Sequence, residues 1–86
     1  MSVYEVLLSK AARKQLASLP AFIHNNIIED ISSLATMPRP DGCKKLKGYK
    51  NSYRIRTGDY RIIYEVEDKV LRILVIAVGH RKDIYK

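Results

Sequence analysis

Apolar and polar positions change period partway along this chain, and the change marks its elements. Val3 to Leu8 (V-Y-E-V-L-L) is short and rich in β-formers, which predicts a first strand. Ser9 supplies a side-chain oxygen to cap a helix reaching about Leu19, with Ala12, Leu16 and Leu19 on one side. Pro20 breaks that helix and suits the first turn of a second one. There Ile23, Ile27, Ile31 and Leu34 recur at helical spacing, and Phe22, Ile28 and Ala35 widen the stripe. Met37-Pro38-Arg39-Pro40-Asp41-Gly42 ends the helix. Cys43 to Lys50 is basic, contains Gly48 and reads as an exposed loop.

From Ser52 the period becomes two. Alternating runs on either side of Gly58-Asp59 predict a β-hairpin with a two-residue loop. That loop sets Thr57 opposite Tyr60, Arg56 opposite Arg61, Ile55 opposite Ile62 and Tyr53 opposite Tyr64. Tyr53, Ile55, Tyr60, Ile62 and Tyr64 then share one face, while Arg54, Arg56 and Arg61 share the other. A turn at Glu67-Asp68-Lys69 leads into a last strand, Val70 to Val78; with Asp68-Lys69 as the loop, Arg72 lies opposite Glu65. Leu71, Ile73, Val75 and Ala77 are expected beside Ile55 and Ile62, and Leu74 and Ile76 on the arginine face. A strand apolar on both faces is a central one. The expected fold is α+β, one domain over residues 1–86: a small antiparallel sheet of about four strands with an N-terminal helical hairpin on one face. The other face is left as a cleft floored by Leu74 and Ile76 and rimmed by arginines.

Composition narrows the setting. A chain of 86 residues has room for a single core. Its longest apolar run, Ile73 to Val78, is too short to span a bilayer, and Met1 to Glu5 lacks the basic start and apolar stretch of a secretion signal. The lone Cys43 can form neither an internal disulfide nor a thiolate metal site. A reducing cytoplasm is the expected home. The net charge of +7 is lopsided: residues 1–43 hold four basic and four acidic groups, residues 44–86 twelve and five. Such asymmetry favours an anionic partner.

Candidate chemistry follows from elimination. His24 and His80 are the only histidines and have no metal-ligand spacing; His24 reads as a surface or boundary residue. The carboxylates are scattered, no glycine-rich phosphate loop occurs, and no serine or cysteine has the local signature of a nucleophile. Two arginines directly across a strand pair repel each other, so their pairing points to an anion between them. RNA cleavage suits such a set, because the substrate's own 2′-hydroxyl attacks and the protein has to position it, move protons and neutralise charge. Guanidiniums aimed at developing oxyanions supply the electrostatic part, and their planar fork suits phosphate. His80 or Tyr85 can serve as proton donor or acceptor. Tyr85 also reads as a plain tail anchor, and the direction of His80 and Arg81 stays open because Gly79 precedes them.

The runs Leu46-Lys47-Gly48, Tyr53-Arg54-Ile55-Arg56, Gly58-Asp59-Tyr60-Arg61-Ile62-Ile63-Tyr64, and Val78-Gly79-His80-Arg81 through Tyr85 resemble the RelE/ParE superfamily of bacterial and archaeal toxins. Ser9 to Leu16, with Leu19-Pro20, is similar to that family's first helix. The resemblance implies a cytoplasmic toxin, without cofactor or metal, in a hetero-oligomer with a cognate antitoxin. RelE members cut mRNA in the ribosomal A site; ParE members poison DNA gyrase. The RelE branch implies Arg61, Arg81, Tyr85 and Arg56 as catalytic residues, with His80 as a secondary candidate. It implies Arg54 and Arg56 as RNA contacts, and the basic excess of residues 44–86 adds Lys44, Lys45, Lys47, Lys50 and Lys82 as candidate RNA contacts. Arg54 and Arg56 stand where the best-known pattern has lysines, and arginine clamps phosphate but hardly ever gives up a proton. A ParE-like gyrase inhibitor and an inactive partner-binding member are the alternatives.

Overall fold

The computed structural model describes residues 3–82. In chain order these form β1 (Glu5–Leu8), α1 (Lys10–Ala17), α2 (Ala21–Ser33), β2 (Lys44–Lys45), β3 (Ser52–Thr57), β4 (Tyr60–Glu67), a 3₁₀ turn (Asp68–Val70) and β5 (Arg72–His80). The strands make one sheet in the order β1-β5-β4-β3-β2. β1 runs parallel to β5 and the other pairings are antiparallel. The α+β reading holds, with one more strand among the described residues than expected. The extra strand is β2, inside the segment read as a loop: Lys44 and Lys45 pair with Arg54 and Tyr53.

Each helix begins where local chemistry sets it. The Ser9 hydroxyl oxygen accepts from the Ala12 N–H at 3.0 Å and donates to the Ile76 carbonyl at 2.8 Å, tying α1 to the central sheet. Pro20 is the N-cap of α2 rather than a member of its first turn. Ala12, Leu16, Ile27, Ile31 and Leu34 from the helical layer meet Ile55, Ile62, Tyr64, Val66, Ile73, Val75 and Val78 from one sheet face. Fully burying a side chain of this size stabilises the fold by about 1.5–3 kcal/mol, so this interface is the main reason the sheet has a fixed inner face.

Three expectations need correction. Arg72 lies opposite Glu67, not Glu65, because β4 extends to Glu67 and the connection is a 3₁₀ turn closed by Leu71 in the left-handed conformation (φ 51°). Arg72 forms its ion pair with Glu5 on β1, at 3.5 Å. Val78, not Ala77, meets Ile62 in the core, because Ile76 is bulged out of the ladder between the Ile63–Ala77 and Tyr64–Val75 pairs. The extra residue shifts the alternation by one, so Ile73 and Val75 face the helices while β5 still delivers Val78 to the same side.

One polar cluster anchors the segment after α2. Arg39 forks onto the Asp68 carboxylate at 2.8 and 3.3 Å and donates from Nε to the Tyr53 hydroxyl at 3.0 Å, while the Tyr4 hydroxyl donates to Asp68 at 2.6 Å. The bidentate Arg39 guanidinium, helped by Tyr4, holds the Asp68 carboxyl below its ordinary value. Tyr53 stacks on Tyr64, whose hydroxyl donates to the Pro38 carbonyl at 2.7 Å. Burial pushes the Tyr64 phenol above its ordinary value and keeps it a donor.

Candidate functional site

Gly58, at φ +61°, supplies the left-handed turn that a two-residue hairpin loop requires. That turn fixes the register as the alternation predicted: Thr57 with Tyr60, Arg56 with Arg61, Ile55 with Ile62, Arg54 with Ile63 and Tyr53 with Tyr64. Ile55 and Ile62 are buried under the helices. Pleating therefore sends Arg54, Arg56 and Arg61 to the opposite face. Arg56 is exposed; Arg54 and Arg61 are half-buried, and the Arg61 Nε is withdrawn from solvent. The neighbour of Arg61 on β5 is Gly79, which has no side chain to crowd the guanidinium.

The other candidates distribute around this ribbon. Lys44 pairs with Arg54 and extends the basic row to the sheet edge. Lys45 pairs with Tyr53, on the alternate parity. Lys47 and Lys50 are exposed on the turn between β2 and β3, which closes through the Leu46 N–H donating to the Ser52 carbonyl at 2.9 Å. The Arg81 N–H donates to the Asp59 carbonyl at 2.8 Å, so the chain leaving β5 starts at the hairpin tip, next to the Arg56–Arg61 pair. His80 pairs with Tyr60, and its ring meets the Tyr60 ring edge-on at 5.5 Å, in a cleft shared with Gln15, Ser18 and Leu19 of the α1 segment. The imidazole thus sits with α1, while the arginines project from the other side of the sheet. The Lys82 N–H donates to its Nδ1 at 3.2 Å. Tyr85 lies outside the described residues.

A second cleft, of about 460 Å³, opens on the arginine face. Its apolar walls come from Leu46, Ile63, Ile76 and Tyr49, so it is Ile63 and Ile76, rather than Leu74 and Ile76, that line it. Tyr49, two-thirds exposed, was not among the residues singled out from the sequence, and Glu65 entered there only as the expected partner of Arg72. An aromatic placed within a basic loop was the available signal for Tyr49.

Chemically, such a ribbon can hold a polyanion: arginines on neighbouring strands of one face, Lys44 beside them at the sheet edge, and Arg81 and Lys82 leaving from the hairpin tip. Known proteins resemble the chain in sequence and fold. Residues 6–85 match the family described as "ParE toxin of type II toxin-antitoxin system, parDE". Toxin RelE3 of Methanocaldococcus jannaschii is 39% identical over 85 residues, 94% of each chain. Toxin RelG of Mycobacterium tuberculosis is 29% identical over 84 residues, 96% of this chain and 97% of the relative. The archaeal RelE–RelB complex from Pyrococcus horikoshii OT3 contains a chain that superposes with a TM-score of 0.83 at 32% identity, covering 94% of this chain and 98% of that one. A match over nearly its whole length, on the same fold, makes this chain a member of the RelE/ParE family of toxins of type II toxin–antitoxin systems.

Proposed function

We propose that the chain is a ribosome-dependent mRNA endoribonuclease that stops translation by cutting transcripts in the ribosomal A site. The observation that carries this is the cross-strand pairing of Arg56 with Arg61, with Arg54 on the same face. Like charges opposite each other weaken a sheet, and a phosphate bridging them reverses the sign of the interaction. In the reaction the substrate's 2′-hydroxyl loses its proton and its oxygen attacks the adjacent phosphorus. The P–O5′ bond breaks and a proton reaches O5′, leaving a 2′,3′-cyclic phosphate and a free 5′-hydroxyl. Arg61 and Arg81 stabilise the charge that builds on the phosphate oxygens, while Arg54 and Arg56 hold the backbone. Tyr85 assists proton transfer, and His80 is the secondary candidate for that role. The lysines at 44, 45, 47, 50 and 82 add salt-dependent contact to RNA.

No histidine stands on the arginine face among the described residues, which fits a site that relies on the ribosome to orient the 2′-hydroxyl. No described helix is long and apolar enough to cross a membrane, in keeping with action on cytoplasmic ribosomes. The crystallised Pyrococcus relative is bound to RelB, which supports a cognate antitoxin as the partner that silences this chain. The test is induction in cells with 5′-end mapping of transcripts for wild type, Arg81→Ala and Tyr85→Phe. In-frame cuts that weaken in both variants support the assignment, and equal cutting by all three removes it. The family description itself favours a second reading, gyrase inhibition by binding. Lost supercoiling and DNA damage with intact transcripts would select it.

A further inference from the structure

We propose that the cleft between the β2–β3 turn and the sheet is a nucleobase subsite that prefers guanine, next to the phosphate-holding arginines. The proposal rests on the RNA-cleaving reading above and adds a specificity element to it. Position is the first support. Ile63, on the cleft floor, is the cross-strand partner of Arg54 and lies two residues along β4 from Arg61. Two residues of strand span about 7 Å, so a phosphate held by the arginines leaves a flanking base within reach of Ile63 and Ile76.

Shape and chemistry are the second support. The apolar floor meets the flat face of a base, and the exposed Tyr49 ring on the turn can close over the other face. Gly48 (φ +81°) and Asn51 (φ +59°) set the turn that carries Tyr49. Lys47, exposed, lines the same cleft and offers its charge to a backbone phosphate. Glu65 also lines the cleft, half-buried and without an ion-pair partner among the described residues, while the other carboxylates of this face, Glu5 and Glu67, are exposed and flank Arg72. A carboxylate there repels the RNA backbone, so it is compensated only by donors. An ionised carboxylate accepts and cannot donate. Guanine presents two adjacent donors on its Watson–Crick edge, N1–H and the exocyclic amino group, which match the two oxygens. Adenine and cytosine offer one amino group each. Uracil offers a single N–H flanked by carbonyls that the carboxylate repels. Reading the Watson–Crick edge of an unpaired base is the common mode in single-stranded RNA recognition.

The test is binding of non-cleavable 2′-O-methyl pentanucleotides, UUGUU, UUAUU and UUUUU, to the full chain released from its antitoxin. UUGUU is expected to bind about fivefold to tenfold more tightly than UUUUU, the lower range for a bidentate base contact in a half-exposed site. Glu65→Gln replaces one acceptor with a donor and is expected to bring that ratio close to one. Arg54→Ala is expected to weaken all three oligomers alike. Thermal melting and antitoxin rebinding check that each variant is folded. Equal binding of the three oligomers by wild type, an unchanged ratio in Glu65→Gln, or no binding at all overturns the subsite. Transcript mapping is the separate arm. A guanine preference without cutting leaves the subsite standing and removes the nuclease reading, whereas cutting without any base preference does the reverse.

Discussion

Replacing Arg56 by glutamine should stabilise the isolated toxin while weakening its proposed cleavage of transcripts. The two guanidiniums of the Arg56–Arg61 pair stand on adjacent strands in direct register. For charges about 6 Å apart, close to the Cα spacing across a strand pair, Coulomb's law gives about 0.7 kcal/mol of repulsion at the dielectric of water and about 2.8 kcal/mol at an effective dielectric of about 20. Arg56 is exposed, so the lower figure applies. It agrees with the few tenths to about 1 kcal/mol by which like charges weaken cross-strand pairs. For a domain of this size about 0.7 kcal/mol corresponds to a rise in Tm of about 3–5 °C. The assay is thermal melting of wild type and Arg56→Gln at about 20 mM and about 1 M salt, where screening shrinks the Debye length to about 3 Å. The difference between the two proteins should be present at low salt and nearly absent at high salt. Transcript cleavage by the variant should fall at least tenfold throughout. A variant that melts at or below the wild-type temperature at low salt refutes the reasoning, because the pair would then cost the fold nothing.

Two further predictions concern the scaffold. Tyr64→Phe removes the hydroxyl that donates to the Pro38 carbonyl and should lower stability by about 1 kcal/mol in urea denaturation. Because burial raises the Tyr64 pKa above its ordinary value of 10.0, its contribution is complete below that value and declines as pH rises beyond it. The gap between wild type and Tyr64→Phe should therefore change only in strongly alkaline buffer. Asp68→Asn should lower Tm at neutral pH. The Asp68 carboxyl is held below its ordinary value of 3.8, so its contribution is present above that value and lost as pH falls through the lower, folded one. The Tm gap should close in that acid range and stay constant from about pH 5 to pH 8, the range where carboxylates remain ionised.

The hairpin was the most legible part of the sequence. Gly58-Asp59 fixes the loop length, and in strands of period two the loop length fixes every cross-strand partner, so the arginine ribbon followed from residue order alone. The helical layer was legible for a similar reason, since Ile27, Ile31 and Leu34 repeat at the spacing that buries them. β5 was harder. Leu74, Val75, Ile76, Ala77 and Val78 are all apolar, so no alternation reveals which residue is bulged. Leu71 in the left-handed region carries no glycine to announce it. β2 is two lysines long, and its strand character comes only from its neighbour β3. The Arg39–Asp68 and Arg72–Glu5 pairs join residues distant in the chain, which no local pattern records. At the site, parity could place Arg61 but not His80. The chain order Gly79-His80-Arg81 permits either face, and the Tyr60–His80 pairing decides it.

The most direct test adds the purified toxin to ribosomes programmed with an end-labelled mRNA, the P site filled and the A site open, beside a parallel gyrase supercoiling assay. Wild type should cut within the A-site codon and leave a 5′-hydroxyl on the downstream fragment. Arg61→Ala should cut at least a hundredfold more slowly, the scale expected when one group that stabilises transition-state charge is removed, and supercoiling should be unaffected. Intact mRNA together with blocked supercoiling, or full cleavage by Arg61→Ala, would contradict the claim that paired guanidiniums on this ribbon hold the scissile phosphate.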